Sequence, residues 1–81
     1  EDVVNVYPNP SNGLFSIDLN GLLAENVQIE VFNQIGQSVY NAVYNESKSV
    51  FEIDLRGMAA GVYTIKLISN GQVISKRVVL Q

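Results

Sequence analysis

Residues 51–55 read Phe51-Glu52-Ile53-Asp54-Leu55, and residues 63–67 read Tyr63-Thr64-Ile65-Lys66-Leu67. In both stretches apolar and polar side chains alternate without a break. Successive side chains of a β-strand point to opposite faces, so each stretch reads as a strand with one buried and one wet face. A slip of one residue would bury two carboxylates in the first or a lysine in the second, so the register is well specified.

The same period of two extends outward in both directions. Phe15, Ile17 and Leu19 alternate with Ser16 and Asp18, and Val27, Ile29 and Val31 alternate with Gln28 and Glu30. Three further segments are less regular. Residues 3–7 form a short apolar start, expected as an edge strand. Residues 37–45 hold Val39, Tyr40, Ala42, Val43 and Tyr44, with a parity slip between Tyr40 and Val43 that predicts a bulge. In the last segment Ile74, Val78 and Leu80 share one parity with Lys76, and Val78 and Leu80 are expected to face inward.

Turn-forming residues separate these seven strands. They are residues 8–13, Asn20-Gly21, residues 33–36, residues 45–47 and Asn70-Gly71. Asn-Gly pairs accept positive φ, as tight hairpins require. Short strands at roughly ten-residue spacing imply an all-β antiparallel sandwich or barrel. Residues 55–60 are expected to form one helical turn. Gly61-Val62-Tyr63 then opens a strand after a corner, where immunoglobulin-like sandwiches place a tyrosine whose hydroxyl bonds back to the loop. That narrows the fold to an immunoglobulin-like β-sandwich.

The 81 residues suffice for one domain, and no cysteine is present to reinforce it. Histidine is also absent, and without either residue the chain lacks the commonest general base, the thiol nucleophile and the usual zinc ligands. A net charge of −3 without a basic stripe argues against nucleic-acid binding. Apolar runs such as Val78-Val79-Leu80 fall far short of the roughly 20 residues of a membrane-spanning helix. Glu52 and Asp54 share the solvent face, and catalytic carboxylates need a cleft, so no catalytic residue is assigned. Asp2, Asn5 and Asn9 lack the dense spacing of a calcium loop, so no metal or cofactor is expected. Asn45-Glu46-Ser47 matches a glycosylation sequon, a pattern that chance supplies often.

Pro8-Asn9-Pro10 is a stiff exit from the first strand, since each proline fixes its own φ and restricts the residue before it. Asn9 is expected to bond to nearby backbone and hold the loop. At the other end, Lys76-Arg77 precede an apolar strand that a receptor can capture by strand addition.

Together these segments resemble the type A C-terminal sorting domains of the type IX (Por) secretion system. Val6-Tyr7-Pro8-Asn9-Pro10, followed by Gly13-Leu14-Phe15, resembles the opening motif. The run from Ile29 through Gly36 to Gln37 resembles the middle motif. Ile53-Asp54-Leu55, followed by Gly61-Val62-Tyr63 and the strand it opens, resembles the Gly-x-Tyr motif. Lys76-Arg77-Val78-Val79-Leu80 resembles the closing motif. The four occur in order over nearly the whole chain. Many relatives end in a basic residue, whereas Gln81 is neutral.

The resemblance implies a single domain, residues 1–81, at the C-terminal end of a larger protein secreted by Bacteroidetes-type bacteria. It implies no enzymatic activity, no small-molecule substrate and no nucleic-acid partner. The expected partners are the translocon, an outer-membrane shuttle protein and a sortase. Passage through the periplasm to the cell surface or medium is expected. The residues expected to carry recognition are Pro8, Asn9, Pro10, Gly13, Gly36, Gly61, Tyr63, Lys76, Val78 and Val79. Two other readings compete. One is a carbohydrate-binding or adhesive module using Tyr40, Tyr44 and Phe32. The other is an immunoglobulin-like spacer.

Overall fold

The computed structural model describes residues 4–21 and 24–81. Seven strands follow in chain order: β1 (Asn5–Tyr7), β2 (Leu14–Asp18), β3 (Val27–Phe32), β4 (Ser38–Tyr44), β5 (Val50–Asp54), β6 (Gly61–Ser69) and β7 (Gln72–Leu80). They form two antiparallel sheets, ordered β1-β2-β5 and β4-β3-β6-β7. The architecture is the immunoglobulin-like sandwich. Its fourth strand pairs with β3 in the larger sheet, so the smaller sheet has three members. No helix occurs among the described residues.

Alternation places the core where it was expected. Phe15, Ile17 and Leu19 on one sheet, and Val27, Ile29 and Val31 on the other, are buried, as are Phe51, Ile53, Leu55, Tyr63, Ile65 and Leu67. Val78 and Leu80 also face inward and are buried, while Val73 on the other parity is exposed. Truncating a fully buried aromatic such as Phe15 or Phe51 costs about 3–5 kcal/mol. That is a large share of the stability of a domain this small.

Three expectations need correction or limits. The bulge in β4 lies at Val39: Val31 pairs with Tyr40 and Phe32 with Ser38, so Val39 is the extra residue. Tyr40, Ala42 and Tyr44 then keep a single parity opposite Val31, Ile29 and Val27, and Val43 points to solvent. Within residues 55–60, Leu55 to Met58 form a β-turn in place of a helical turn. The Met58 amide donates to the Leu55 carbonyl at 3.1 Å, and Gly57 holds φ at 96°. Positive φ at the third turn position is the type II geometry, which a helical turn excludes. The first strand is described from Asn5, and Val3 lies outside the described residues, as does Asp2 of the calcium reading.

Turn chemistry agrees with the sequence elsewhere. Ser69 pairs with Gln72 across Asn70-Gly71, whose φ values of 53° and 78° are the two positive angles of a type I′ hairpin. At residues 33–36 the Asn33 carbonyl accepts from the Gly36 amide at 3.0 Å, and the Asn33 side-chain oxygen accepts from the amides of Ile35 and Gln37. At the opposite end, Ala24 and Lys48 exchange backbone hydrogen bonds of 2.9 and 3.1 Å and tie together two of the three crossovers between sheets, β2–β3 and β4–β5.

Candidate functional site

β1 runs from Asn5, opposite Asp18, to Tyr7, opposite Ser16, and β2 begins at Leu14, opposite Asp54. Tyr7, Leu14 and Asp54 therefore mark one pole of the sandwich, and Val4 enters at the other. In the larger sheet Gly61 pairs with Leu80 and Phe32 with Thr64, which brings the start of β6, the end of β7 and the β3–β4 turn to the first pole. Residues far apart in sequence thus meet there.

The loop of residues 8–13 is the centre of this pole. Both X-Pro bonds, Tyr7-Pro8 and Asn9-Pro10, are cis. Between the prolines, the Asn9 side chain reaches β7. Its Nδ2 donates to the Arg77 carbonyl and its Oδ1 accepts from the Val79 amide, both at 3.0 Å. Sequence reasoning assigned Asn9 to nearby backbone; its partners are 68 and 70 residues away. A carboxamide carries a donor and an acceptor as a peptide group does, so Asn9 continues a ladder along an edge that has no neighbouring strand among the described residues. Ser11 extends that ladder. Its amide donates to the Val79 carbonyl at 2.8 Å, and its carbonyl accepts from the Gln81 amide at 2.9 Å.

Ser11 was not singled out from the sequence, yet it is the one buried polar residue among those described. Its hydroxyl donates to the Leu14 carbonyl at 3.0 Å and accepts from the Gly13 amide at 2.9 Å. A serine two residues before a glycine in a loop of Pro, Asn and Gly is the available signal, because hydroxyls there compete for local backbone groups. Gly13 is held from both sides. Its carbonyl accepts from the Leu55 amide at 2.7 Å, and its φ is 113°. A Cβ at this position would sit 2.8 Å from the Arg56 Cα, so only glycine lets the two backbones approach this closely.

The corner tyrosine is present. The buried Tyr63 donates its hydroxyl to the Ala59 carbonyl at 2.6 Å. Gly61, at φ 154°, lies against the Gln34 side chain, whose Oε1 is 3.6 Å from where a Cβ would stand. Asn33, Gln34 and Ile35 on one side and residues 59–63 on the other line a shallow cleft. Ile35, 78% exposed, stands at its rim. Beside it, Arg56 grips Asp54 through two side-chain hydrogen bonds of 3.0 and 2.8 Å. Those bonds hold the Asp54 carboxyl down to about 2.

Of the ten residues expected to carry recognition, Pro8, Asn9, Pro10, Gly13, Gly61, Tyr63, Val78 and Val79 are brought together at this pole. Gly36 lies in the adjacent turn, at φ 86°. Lys76 is set apart, opposite Ile65 in mid-sheet and half-buried on the parity of Val78.

Distant segments of this small immunoglobulin-like sandwich are thus joined into one hydrogen-bonded pole. The chain matches the family model described as "Secretion system C-terminal sorting domain" over residues 5–81, and it belongs to that family, the sorting signals of type IX secretion. The family is not an enzyme family. A solved structure of PorZ, an essential surface component of the type-IX secretion system of Porphyromonas gingivalis, is similar in fold. Its TM-score is 0.78 at 18% identity, over 96% of this chain and 11% of that one. This chain thus spans about a tenth of the length of that neighbour. No curated protein matches.

Proposed function

We propose that the domain acts as a folded address, read at the motif pole by the outer-membrane machinery of type IX secretion, and that it performs no catalysis itself. The translocon, its shuttle protein and the sortase are the partners in this reading, and cargo joined ahead of Val4 travels through the periplasm before export. The observation that carries it is the convergence of the opening, Gly-x-Tyr and closing motifs on one pole, while Val4 enters at the other. Cargo attached at the entry end leaves the pole unobstructed. Pro8, Asn9, Pro10, Gly36, Gly61 and Val79 present that surface, the buried Gly13, Tyr63 and Val78 hold it from beneath, and Lys76 supplies a cation further along β7.

The test is export of a passive reporter fused ahead of the domain in a type IX-competent host. Export is expected with the intact domain and is expected to stop when residues 78–81 are removed. Export that survives the truncation contradicts the role of the last strand.

A sugar-binding platform is disfavoured by geometry. Tyr40 and Tyr44 lie on the inward parity of β4, with their hydroxyls 2.6 Å apart, whereas Phe32 lies on the outward face of β3 under the Lys66 ammonium. The three rings do not share a face.

A further inference from the structure

Four hydrogen bonds carry residues 9–11 across to the larger sheet, and all four end within the last five residues of the 81-residue chain. The Asn9 carboxamide meets the Arg77 carbonyl and the Val79 amide. The Ser11 amide meets the Val79 carbonyl and the Ser11 carbonyl meets the Gln81 amide, so Ser11 and Leu80 form a parallel bridge. The two Asn9 bonds span 68 and 70 residues. Contacts of such separation close at an entropic cost that local ones do not bear, and they form late. The other parts of the motif pole are anchored elsewhere: Gly13 by Leu55, Tyr63 by Ala59, and the turn at residues 33–36 by its own Asn33. The opening motif is first along the chain, yet its loop is held by the last residues made.

The residues of the chain end contribute unequally. β7 pairs with β6 from Ser69 opposite Gln72 to Gly61 opposite Leu80. Val78 is fully buried and Leu80 nearly so, and both fill the core. Gln81 is exposed and contributes one bond, from its amide to the Ser11 carbonyl. Its loss removes a single tie. Loss of Val79 and Leu80 as well empties a core position, removes the bridge to Ser11 and leaves the Asn9 oxygen without its donor. Ser11 is itself buried, and a buried amide or carbonyl left without a partner is costly. The loop has nothing to hold it in place once that end of β7 is gone.

We propose that the loop of residues 8–11 is a switch set by the chain's own C-terminal end. It takes its shape when residues 77–81 are in place, and a chain that ends short of Leu80, unfinished or trimmed, displays no complete motif pole. The device needs no ligand. It is built from a loop whose anchoring lies at the far end of the sequence and from a terminal strand that serves the core and the loop at once. The outer edge of β7 is occupied here by Asn9 and Ser11, so this end of the strand is closed to pairing with a receptor. What it offers instead is the exposed Pro8, Asn9 and Pro10 that it holds in position. The consequence for export rests on the reading of the motif pole as the address; the coupling of loop to chain end does not.

The test is amide hydrogen exchange by NMR on the full chain, on chains ending at Leu80 and at Val78, and on Val79→Pro in the full chain. The Ser11 amide reports the loop, and the amides of the β2–β5 pair report the core. With Gln81 alone removed, Ser11 exchange is expected to stay within about threefold of its rate in the full chain. With the chain ending at Val78 it is expected to rise by roughly tenfold or more. Val79→Pro deletes the amide that bonds to Asn9, at an exposed position whose N–H faces away from β6, where proline is tolerated, and it keeps Val78, Leu80 and Gln81. It is expected to raise Ser11 exchange by roughly fivefold while the β2–β5 amides keep their protection, and so it decides the case in which the chain ending at Val78 unfolds outright. Unchanged Ser11 exchange in Val79→Pro, an ordered loop in the chain ending at Val78, or a loop lost with Gln81 alone overturns the proposal. Export of the same chains separates it from the reading of the pole: a loop that loosens while export continues contradicts that reading and upholds the coupling.

Discussion

Asn9 and Val79 are 70 residues apart and joined by a 3.0 Å hydrogen bond from the Val79 amide to the Asn9 carboxamide oxygen. The same carboxamide donates to Arg77, so one side chain ties the opening motif to the closing one. Asn9→Ala removes both bonds and leaves the β7 edge unpaired there. The expected loss is about 1–3 kcal/mol, seen as a lower urea midpoint with an unchanged slope. Asn9→Asp keeps the acceptor, sets a carboxylate against the Arg77 carbonyl, and is expected to recover only part of the loss. A midpoint unaffected by Asn9→Ala would show that the tie contributes nothing.

Gly13→Ala is expected to be more damaging. The new Cβ meets the Arg56 backbone at 2.8 Å, and the φ of 113° is one that alanine avoids. The clash is with main chain, so relief requires β2 and the β5 corner to separate. A loss above about 2 kcal/mol is expected in thermal or urea unfolding. Gly57→Ala, at φ 96° but with open space around it, is expected to cost less.

Tyr63→Phe keeps the buried ring and deletes the 2.6 Å bond to Ala59. A loss of about 1 kcal/mol is expected, together with faster exchange of amides in the residue 56–60 corner. An unchanged corner would mean that the glycines alone shape it.

Two groups give the fold a pH signature. Burial, then the hydrogen bond to Tyr44, pushes the Tyr40 hydroxyl up from 10.0 to about 12. The folded chain therefore holds that proton more tightly than the unfolded chain. The resulting stability is complete below pH 10 and is lost as pH rises toward 12. Tyrosinate absorbance should show one late-titrating ring that Tyr40→Phe removes. Asp54 is shifted the other way, from 3.8 to about 2, first by its side-chain hydrogen bonds to Arg56. Its contribution is present above 3.8 and fades as pH falls toward 2; Arg56→Ala should move the Asp54 titration upward only part of the way, because the residue 56 amide still donates to Oδ1 at 3.0 Å.

The strands and their buried faces were legible because alternation is a local pattern, and Phe51, Ile53, Tyr63 and Ile65 declare their side within five residues. Asn70-Gly71 was legible for the same reason, since its conformation follows from its own two residues. The bulge was misplaced because Val43 is apolar yet exposed, and parity alone does not distinguish an exposed valine from a register slip. The corner at residues 55–60 was read as helical because Met58-Ala59-Ala60 favour helix, and Gly57 with its positive φ overrode them. The candidate site was half legible. Its motif residues were named from resemblance, but their meeting at one pole depends on the pairing of β6 with β7 and on the reach of Asn9. The hairpin is marked by Asn70-Gly71, but the reach of Asn9 to β7 leaves no mark in the local sequence.

The most direct measurement is export of the fused reporter when exposed residues at the two poles are changed without touching the core. Ile35→Lys alters the motif pole at a residue 78% exposed, and Val73→Lys alters the opposite end of β7 at one 57% exposed. Both proteins should fold, as checked by their unfolding midpoints. Export is expected to fall sharply for Ile35→Lys and to match the unaltered domain for Val73→Lys. Equal export from the two, or a loss confined to Val73→Lys, would contradict recognition at the motif pole.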